Sequence, residues 1–233
     1  MFLPHADKVR LLVMRLFCVF SHAFLLEQTV FGLFFYFPRE DAMKALEEKI
    51  NKEGIVLSAD ILKVGSFLNQ QLDVALITEM GKEIARLYKE DGVTKILTIE
   101  ASGIAIATAA AVQLGVPVVV AKKSRASTQT GGMYTASVHS FTHGNTYDAI
   151  VPCEYLSKGE RVLIIDDFLA HGAALEGLLS IVKQAGAVLC GCAIAIEKAF
   201  QGGGDKLRAE GVRIESLASV ASMSPTDGIT YRH

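Results

Sequence analysis

The 233-residue chain carries 23 lysines and arginines against 25 aspartates and glutamates, a net charge of −2, and is 51% apolar. That balance excludes a disordered chain and argues against binding nucleic acid or an anionic membrane through bulk charge. The length suits one sizeable α/β domain and is barely enough for two small ones.

Residues 1–42 stand apart from the rest. They hold eight of the twelve phenylalanines: Phe2, Phe17, Phe20, Phe24, Phe31, Phe34, Phe35 and Phe37. Lys8 and Arg10 precede an apolar run, the outline of a signal or membrane segment. Arg15, Ser21-His22 and Glu27 interrupt that run, and a carboxylate near a bilayer centre costs ~2.5–3.5 kcal/mol. From Met43 to Ile50 the chain turns charged and amphipathic, the pattern of a soluble helix. Residues 1–42 are therefore read as an apolar extension, spurious or disordered, ahead of a domain over 43–233. A membrane-associating segment and a genuine accessory helix are the alternatives.

Within 43–233 the spacing predicts a helix over 43–53, closed by Gly54. A second helix follows over Leu72–Asp91, with apolar residues at helical intervals from Val74 to Tyr88 and a stop at Gly92. Lys95–Glu100 reads as a strand, 103–113 as an alanine-rich helix and Val118–Ala121 as a second strand, together a βαβ unit of a parallel sheet. Residues 124–149 are Ser/Thr-rich, and their alternation over 134–141 and 146–151 predicts a hairpin or long loop inserted in the α/β core. An excursion of that length is usually functional, here as a lid. Lys122 and Lys123 stand at its hinge as either diphosphate contacts or surface charges; His139 and His143 within it are read as incidental. A buried strand over 161–167, a helix over Ala173–Ala185 and a strand over Val188–Ile196 come next. A short helix over 205–210 and a last strand over 212–217 complete the elements, leaving a C-terminal tail to cover the sheet.

Four cysteines (Cys18, Cys153, Cys190, Cys192) show neither zinc spacing nor a disulfide framework, which fits a reducing compartment. Cys190 and Cys192, two apart on a strand, are expected to share one face as small buried hydrophobes. No G-x-G-x-x-G follows a strand, since Gly202-Gly203-Gly204 comes after the Lys198 turn, and no G-x-x-x-x-G-K-[ST] occurs.

Ligands of open α/β sheets bind outside the carboxyl ends of the strands. The most informative strand end is Val162–Ile165, followed by Asp166 and Asp167 and then by Ala170, His171, Gly172, Ala173 and Ala174. Small residues there let backbone N–H groups approach an anion at a helix N-terminus. A phosphate so held places its sugar over the two acids, which can accept hydroxyl hydrogen bonds.

This run resembles the 5-phosphoribosyl 1-diphosphate (PRPP) motif of type I phosphoribosyltransferases, although the usual Ala-Thr-Gly-Gly-Thr loop is here Ala170–Ala174 with a histidine at 171 and no hydroxyl at 174. Segments at Gly54–Ser58, Ile61–Asn69, Thr98–Ile104 and Ile194–Phe200 resemble the bacterial xanthine phosphoribosyltransferases within that family, from Met43 to about Leu217. The resemblance implies a type I fold: an open, mostly parallel sheet flanked by helices, with a small hood from the N- and C-terminal segments. It implies transfer of ribose 5-phosphate from PRPP to N9 of a 6-oxopurine, Mg²⁺ arriving with PRPP, a homodimer and a cytoplasmic location in purine salvage. Carried over, Ala170–Ala174 bind the 5-phosphate, and Asp166 and Asp167 face the ribose hydroxyls or Mg²⁺. Glu100, Ala101, Ser102 and Gly103 form the diphosphate loop, which in the family often contains a strained non-proline peptide. Lys198 donates to the purine 6-oxo group, and Leu62 and Asn69 contact xanthine. A PRPP-sensing regulator on the same fold would add a basic DNA-binding module, which the few cations of residues 1–42 do not supply. An enzyme preferring guanine or hypoxanthine is the alternative within the family.

Overall fold

The computed structural model describes residues 41–124, 131–140 and 145–233. The reading of residues 1–42 as an extension therefore lies outside the described residues but for its last two, as does that of His143.

Helix α1 (Asp41–Glu53) begins two residues before Met43 and leads through the two-residue strands β1 (Ile55–Val56) and β2 (Leu62–Lys63) into a π-helical turn, Gly65–Asn69. Helix α2 (Val74–Leu87) is capped by Asp73, whose side chain accepts the Leu76 N–H at 3.2 Å. A 3₁₀ turn and a left-handed Gly92 stop the helical run where the sequence placed the break. Strand β3 (Lys95–Ile99), helix α3 (Gly103–Leu114) and strand β4 (Val118–Ala121) form the expected βαβ unit, with β3 and β4 parallel. The excursion is a hairpin of β5 (Met133–Ser140) and β6 (Asn145–Pro152), in register from Met133 opposite Pro152 to Ser140 opposite Asn145. It joins the sheet edge through paired backbone bonds between Lys122 and Ile150 at 2.8 and 2.9 Å.

The rest comprises β7 (Arg161–Leu169), α4 (Ala173–Ala185), β8 (Val188–Lys198), α5 (Gly203–Ala209), β9 (Ile214–Ser224) and β10 (Gly228–Tyr231). The main sheet has the order β10-β9-β8-β7-β3-β4, parallel except for the antiparallel edge strand β10. Period-2 alternation sends Ile96, Leu163 and Ile165 to one face, against Leu46, Ile50, Phe67, Met80 and Ile84. Leu97, Val162 and Ile164 go to the other face, against Leu175, Leu178 and Ile181 of α4 and Val138 of the hairpin.

The structure differs from the sequence reading at several element ends, among them those of the second helix, of β8 and of α5, and in one register. Strand β7 runs two residues past the acids because Leu169 still pairs with Glu197 of β8. Strand β9 continues to Ser224 and returns as β10; its small, polar second half lacks the β-branched density that marks a strand. The register between β7 and β8 shifts at Val162/Leu163, leaving Cys190 as an extra, half-buried residue while Cys192 is buried. That bulge interrupts the strict alternation on which the shared face of the two thiols was based. The C-terminal segment also meets the N-terminal one: Tyr231 Oη donates to Glu47 O at 3.2 Å and lies 3.1 Å from Asn51 Oδ1.

Candidate active site

The carboxyl ends of β3, β7 and β8 open into a cavity of about 660 Å³. Its lining includes Glu100, Ala101 and Ser102 from the end of β3, Asp166 to Leu175 from the end of β7, and Lys198 from the end of β8. Asp60 and Ile61 close it from the hood, Lys123, Val138, His139 and Tyr147 from the hinge and hairpin, and Gln201 from beyond β8.

Two turns with backbone at a helix N-terminus face this space. Gly172 takes φ +94°, open to glycine and strained for any other residue, and turns β7 into the N-terminus of α4. The Ala170–Ala174 backbone thus meets the cavity beside a helix N-terminus, where N–H groups and the helix dipole favour a phosphate. The second element is the Glu100–Ser102 turn into α3, in which the Glu100–Ala101 peptide is cis. Gly103 lies behind this turn, not on the cavity. A Cβ there would strike the Thr98 hydroxyl and come within 3.1 Å of Asp166 Oδ1, so its lack of a side chain lets α3 seat against β7. Burial works to raise the Glu100 pKa, but the Lys123 N–H and the Lys122 ammonium at 3.2 Å hold the carboxyl below its ordinary range. Of the two hinge lysines, Lys123 reaches the cavity, with its ammonium 5.0 Å from the Tyr147 ring centroid, whereas Lys122 pairs with Glu100.

Between these turns lie the two acids. Asp166 is only 5% exposed. Its carboxyl pKa stands well above the ordinary value because burial penalises the charge and Asp167 adds a like charge beside it. Burial also raises Asp167, opposed by hydrogen bonds that include one from Asn69. Asp167 N donates to Asp166 Oδ1 at 3.0 Å, and Asn69 Nδ2 donates to Asp167 Oδ2 at 3.3 Å across 98 residues of sequence. No group of three or more metal-ligating side chains occurs among the described residues.

At the β8 side of the cavity, Lys198 Nζ donates to Asp60 O at 2.6 Å and sits 5.4 Å from the Phe168 ring centroid. Burial lowers its pKa, partly opposed by the Asp60 charge. Gln201 Nε2 donates to Asp60 Oδ1 at 3.0 Å. The hood loop is thus tied to the end of β8 by two bonds to one aspartate.

The chain matches the phosphoribosyl transferase domain family over residues 63–212. The chain belongs to the phosphoribosyltransferase family. Relatives named xanthine phosphoribosyltransferase include those of Bacillus cereus (strain ZK / E33L) and Bacillus anthracis (strain A0248), each 54% identical over 189 residues, 81% of this chain and 95% of theirs. The adenine phosphoribosyltransferase structure from Saccharomyces cerevisiae superposes with a TM-score of 0.62 at 21% identity, over 76% of this chain and 99% of that one. At that identity the likeness shows the fold.

In this phosphoribosyltransferase the cavity gathers most of the residues singled out by sequence, but not Gly103, Leu62 or Asn69. Leu62 is buried in the core under the hood, and its neighbour Ile61 takes the lining position. Asn69 addresses Asp167 instead. Asp60, Ile61, Tyr147, Phe168 and Gln201 were not singled out. Phe168 and Gln201 adjoin recognised motifs, while Asp60 comes to Lys198 from 138 residues away with no local pattern to announce it.

Proposed function

We propose that this enzyme transfers the 5-phosphoribosyl group of PRPP to N9 of xanthine, yielding XMP and diphosphate in purine salvage. What carries the reading is one cavity that sets a lysine at one strand end, two acids at the next and two backbone anion cradles around them, in a chain 54% identical to relatives bearing that name. The C1–O bond to diphosphate breaks, the C1–N9 bond forms, and the N9 proton leaves to solvent.

The Ala170–Ala174 loop holds the 5-phosphate, and Asp166 and Asp167 accept the ribose hydroxyls. The Glu100–Ser102 turn and Lys123 receive the leaving diphosphate, where backbone donors stabilise the developing charge. Lys198 reads the base: an ammonium offers donors only, so it favours a 6-oxo group over an amino group. Ile61 walls the purine side from the hood, Asn69 bears on the site through its bond to Asp167, and the hairpin excludes water as a lid.

Two adjacent carboxylates are too few to cage Mg²⁺ but fit an ion that takes most of its ligands from substrate oxygens. Bound with PRPP, it would neutralise the diphosphate, with Asp166 and Asp167 as the residues beside it. A second copy of the chain completes the assembly as a homodimer, supported by Val74 and Val112, 70% and 72% exposed on helices α2 and α3. Sedimentation at micromolar concentration giving the mass of one chain would refute the dimer. No helix among the described residues is long and apolar enough to cross a membrane; the unpaired thiols of Cys153, Cys190 and Cys192 support a cytoplasmic site of action.

Initial rates with xanthine, hypoxanthine, guanine and adenine, each with PRPP and Mg²⁺, test the reading. Xanthine gives the highest kcat/KM, and adenine falls at least about 100-fold lower because its amino group meets donors. Retained PRPP binding with no turnover of any purine would replace the enzyme with a sensor.

A further inference from the structure

Beyond the groups that touch substrate, the Gly202-Gly203-Gly204 turn has no role in the reaction as described. Its surroundings are specific. Gly203 N donates to Ala170 O at 3.2 Å. A Cβ on Gly203 would strike Ala170 O and lie 2.5 Å from His171 C and 2.7 Å from Gly172 N, all backbone of the phosphate loop. Backbone cannot rotate aside as a side chain can, so a methyl group there must displace the loop or the helix.

Gly204 faces the other way. A Cβ on it would strike Glu197 Oε1 and come within 2.8 Å of an Arg208 guanidinium nitrogen. Glu197 is 1% exposed, and its carboxylate is fully engaged. Both Arg208 terminal nitrogens donate to it at 2.7 Å, and Ser216 Oγ donates at 2.5 Å. Burial works to raise this carboxyl's pKa, but the Arg208 fork and the serine hydroxyl hold it below the ordinary value. Glu197 also pairs in register with Leu169, the residue before the loop. Arg208 belongs to α5, whose Asp205 is held at 2.8 and 2.9 Å by the two terminal nitrogens of Arg232.

We propose that α5 is a strut: seated on the buried Glu197 carboxylate through Gly204 and Arg208, it presses Gly203 against the phosphate loop and fixes that loop for PRPP. Gly203, Glu197 and Arg208 are then positioning residues, and none of them lines the cavity. The strut rests on the reading of 170–174 as the 5-phosphate loop. It also explains why three consecutive glycines follow the purine lysine without forming a nucleotide loop of their own.

The test compares Gly203→Ala, Arg208→Lys, Arg208→Ala and Gly211→Ala with the parent enzyme. Gly203 is not among the glycines with positive φ, so its substitution tests the clash, whereas Gly211, at φ +88° with nothing within 4 Å of its Cβ position, shows what backbone strain without a clash does. Gly203→Ala raises KM for PRPP at least about 10-fold and leaves KM for xanthine within about twofold, the split expected when only one substrate's site is displaced. Gly211→Ala changes neither KM. Arg208→Ala repeats the PRPP defect and Arg208→Lys restores it in part, because an ammonium replaces the charge but not the fork. Calorimetric binding of ribose 5-phosphate separates the two layers of the argument. Weakened binding in Gly203→Ala supports the strut, and equal binding by parent and Gly203→Ala overturns it. No binding by the parent overturns the loop assignment and the strut with it. If Gly203→Ala does not fold, the Arg208 pair decides: equal loss for both substrates, or no rescue by lysine, refutes positioning.

Discussion

Asparagine at both Asp166 and Asp167 lowers kcat/KM for PRPP by about 1,000-fold or more, the scale of losing preorganised charge at a reacting centre, and leaves the protein folded. Ionised, each carboxylate offers two acceptor oxygens where an asparagine offers one, and both sit at the end of a central strand with one of them almost wholly buried. Their cost to the fold has a definite sign. Each acid has its pKa raised by burial, and Asp166 further by Asp167. Below the unfolded value both states hold the protons and nothing is lost. As pH rises through the folded values, the fold must accept buried charge and is destabilised. At neutral pH the double variant therefore melts at the same temperature or higher. The same shift places the acid limb of kcat/KM for PRPP above the ordinary carboxylate range in the parent. Full activity in the double variant, or a cooperative melt lost altogether, would remove the acids from the site.

How far the sequence discloses this site depends on where each part is encoded. The placement of the 170–174 loop, the acids and α4 was legible because strand, turn and helix N-terminus are contiguous over 162–185. The β3 turn was legible for the same reason. The hairpin could be foreseen from period-2 alternation, but its register could not. What stayed hidden depends on distance. Asp60 reaches Lys198 and Gln201 through folding of the hood, and Asn69 reaches Asp167 across 98 residues. No local period records such pairs. Leu62 shows a third cause: at the start of a two-residue strand, one step back along the chain passes from the buried Leu62 to Ile61 on the cavity. Strand β10 escaped notice because an edge strand of four half-exposed or exposed residues carries little apolar signal.

Lys198→Ala separates the two halves of the cavity more cleanly than any other substitution. Its ammonium spends one donor on Asp60 O, at 2.6 Å, and lies over the Phe168 ring. Two N–H groups remain for an incoming acceptor. A hydrogen bond from a charged donor is worth about 1.5–3 kcal/mol, so kcat/KM for xanthine falls roughly 10- to 150-fold. KM for PRPP stays within about twofold, since neither backbone cradle involves this side chain. Burial lowers the lysine's pKa against the raising effect of Asp60, so the ammonium is lost below the ordinary lysine range as pH climbs. A neutral amine accepts as well as donates, and preference for 6-oxo over 6-amino purines therefore narrows at high pH in the parent but not in Lys198→Ala. Gln201→Leu, which frees the Asp60 side chain while keeping the lysine, gives a milder loss confined to the purine. Equal losses for purine and PRPP in Lys198→Ala would move this residue out of base recognition and into the general architecture of the cavity.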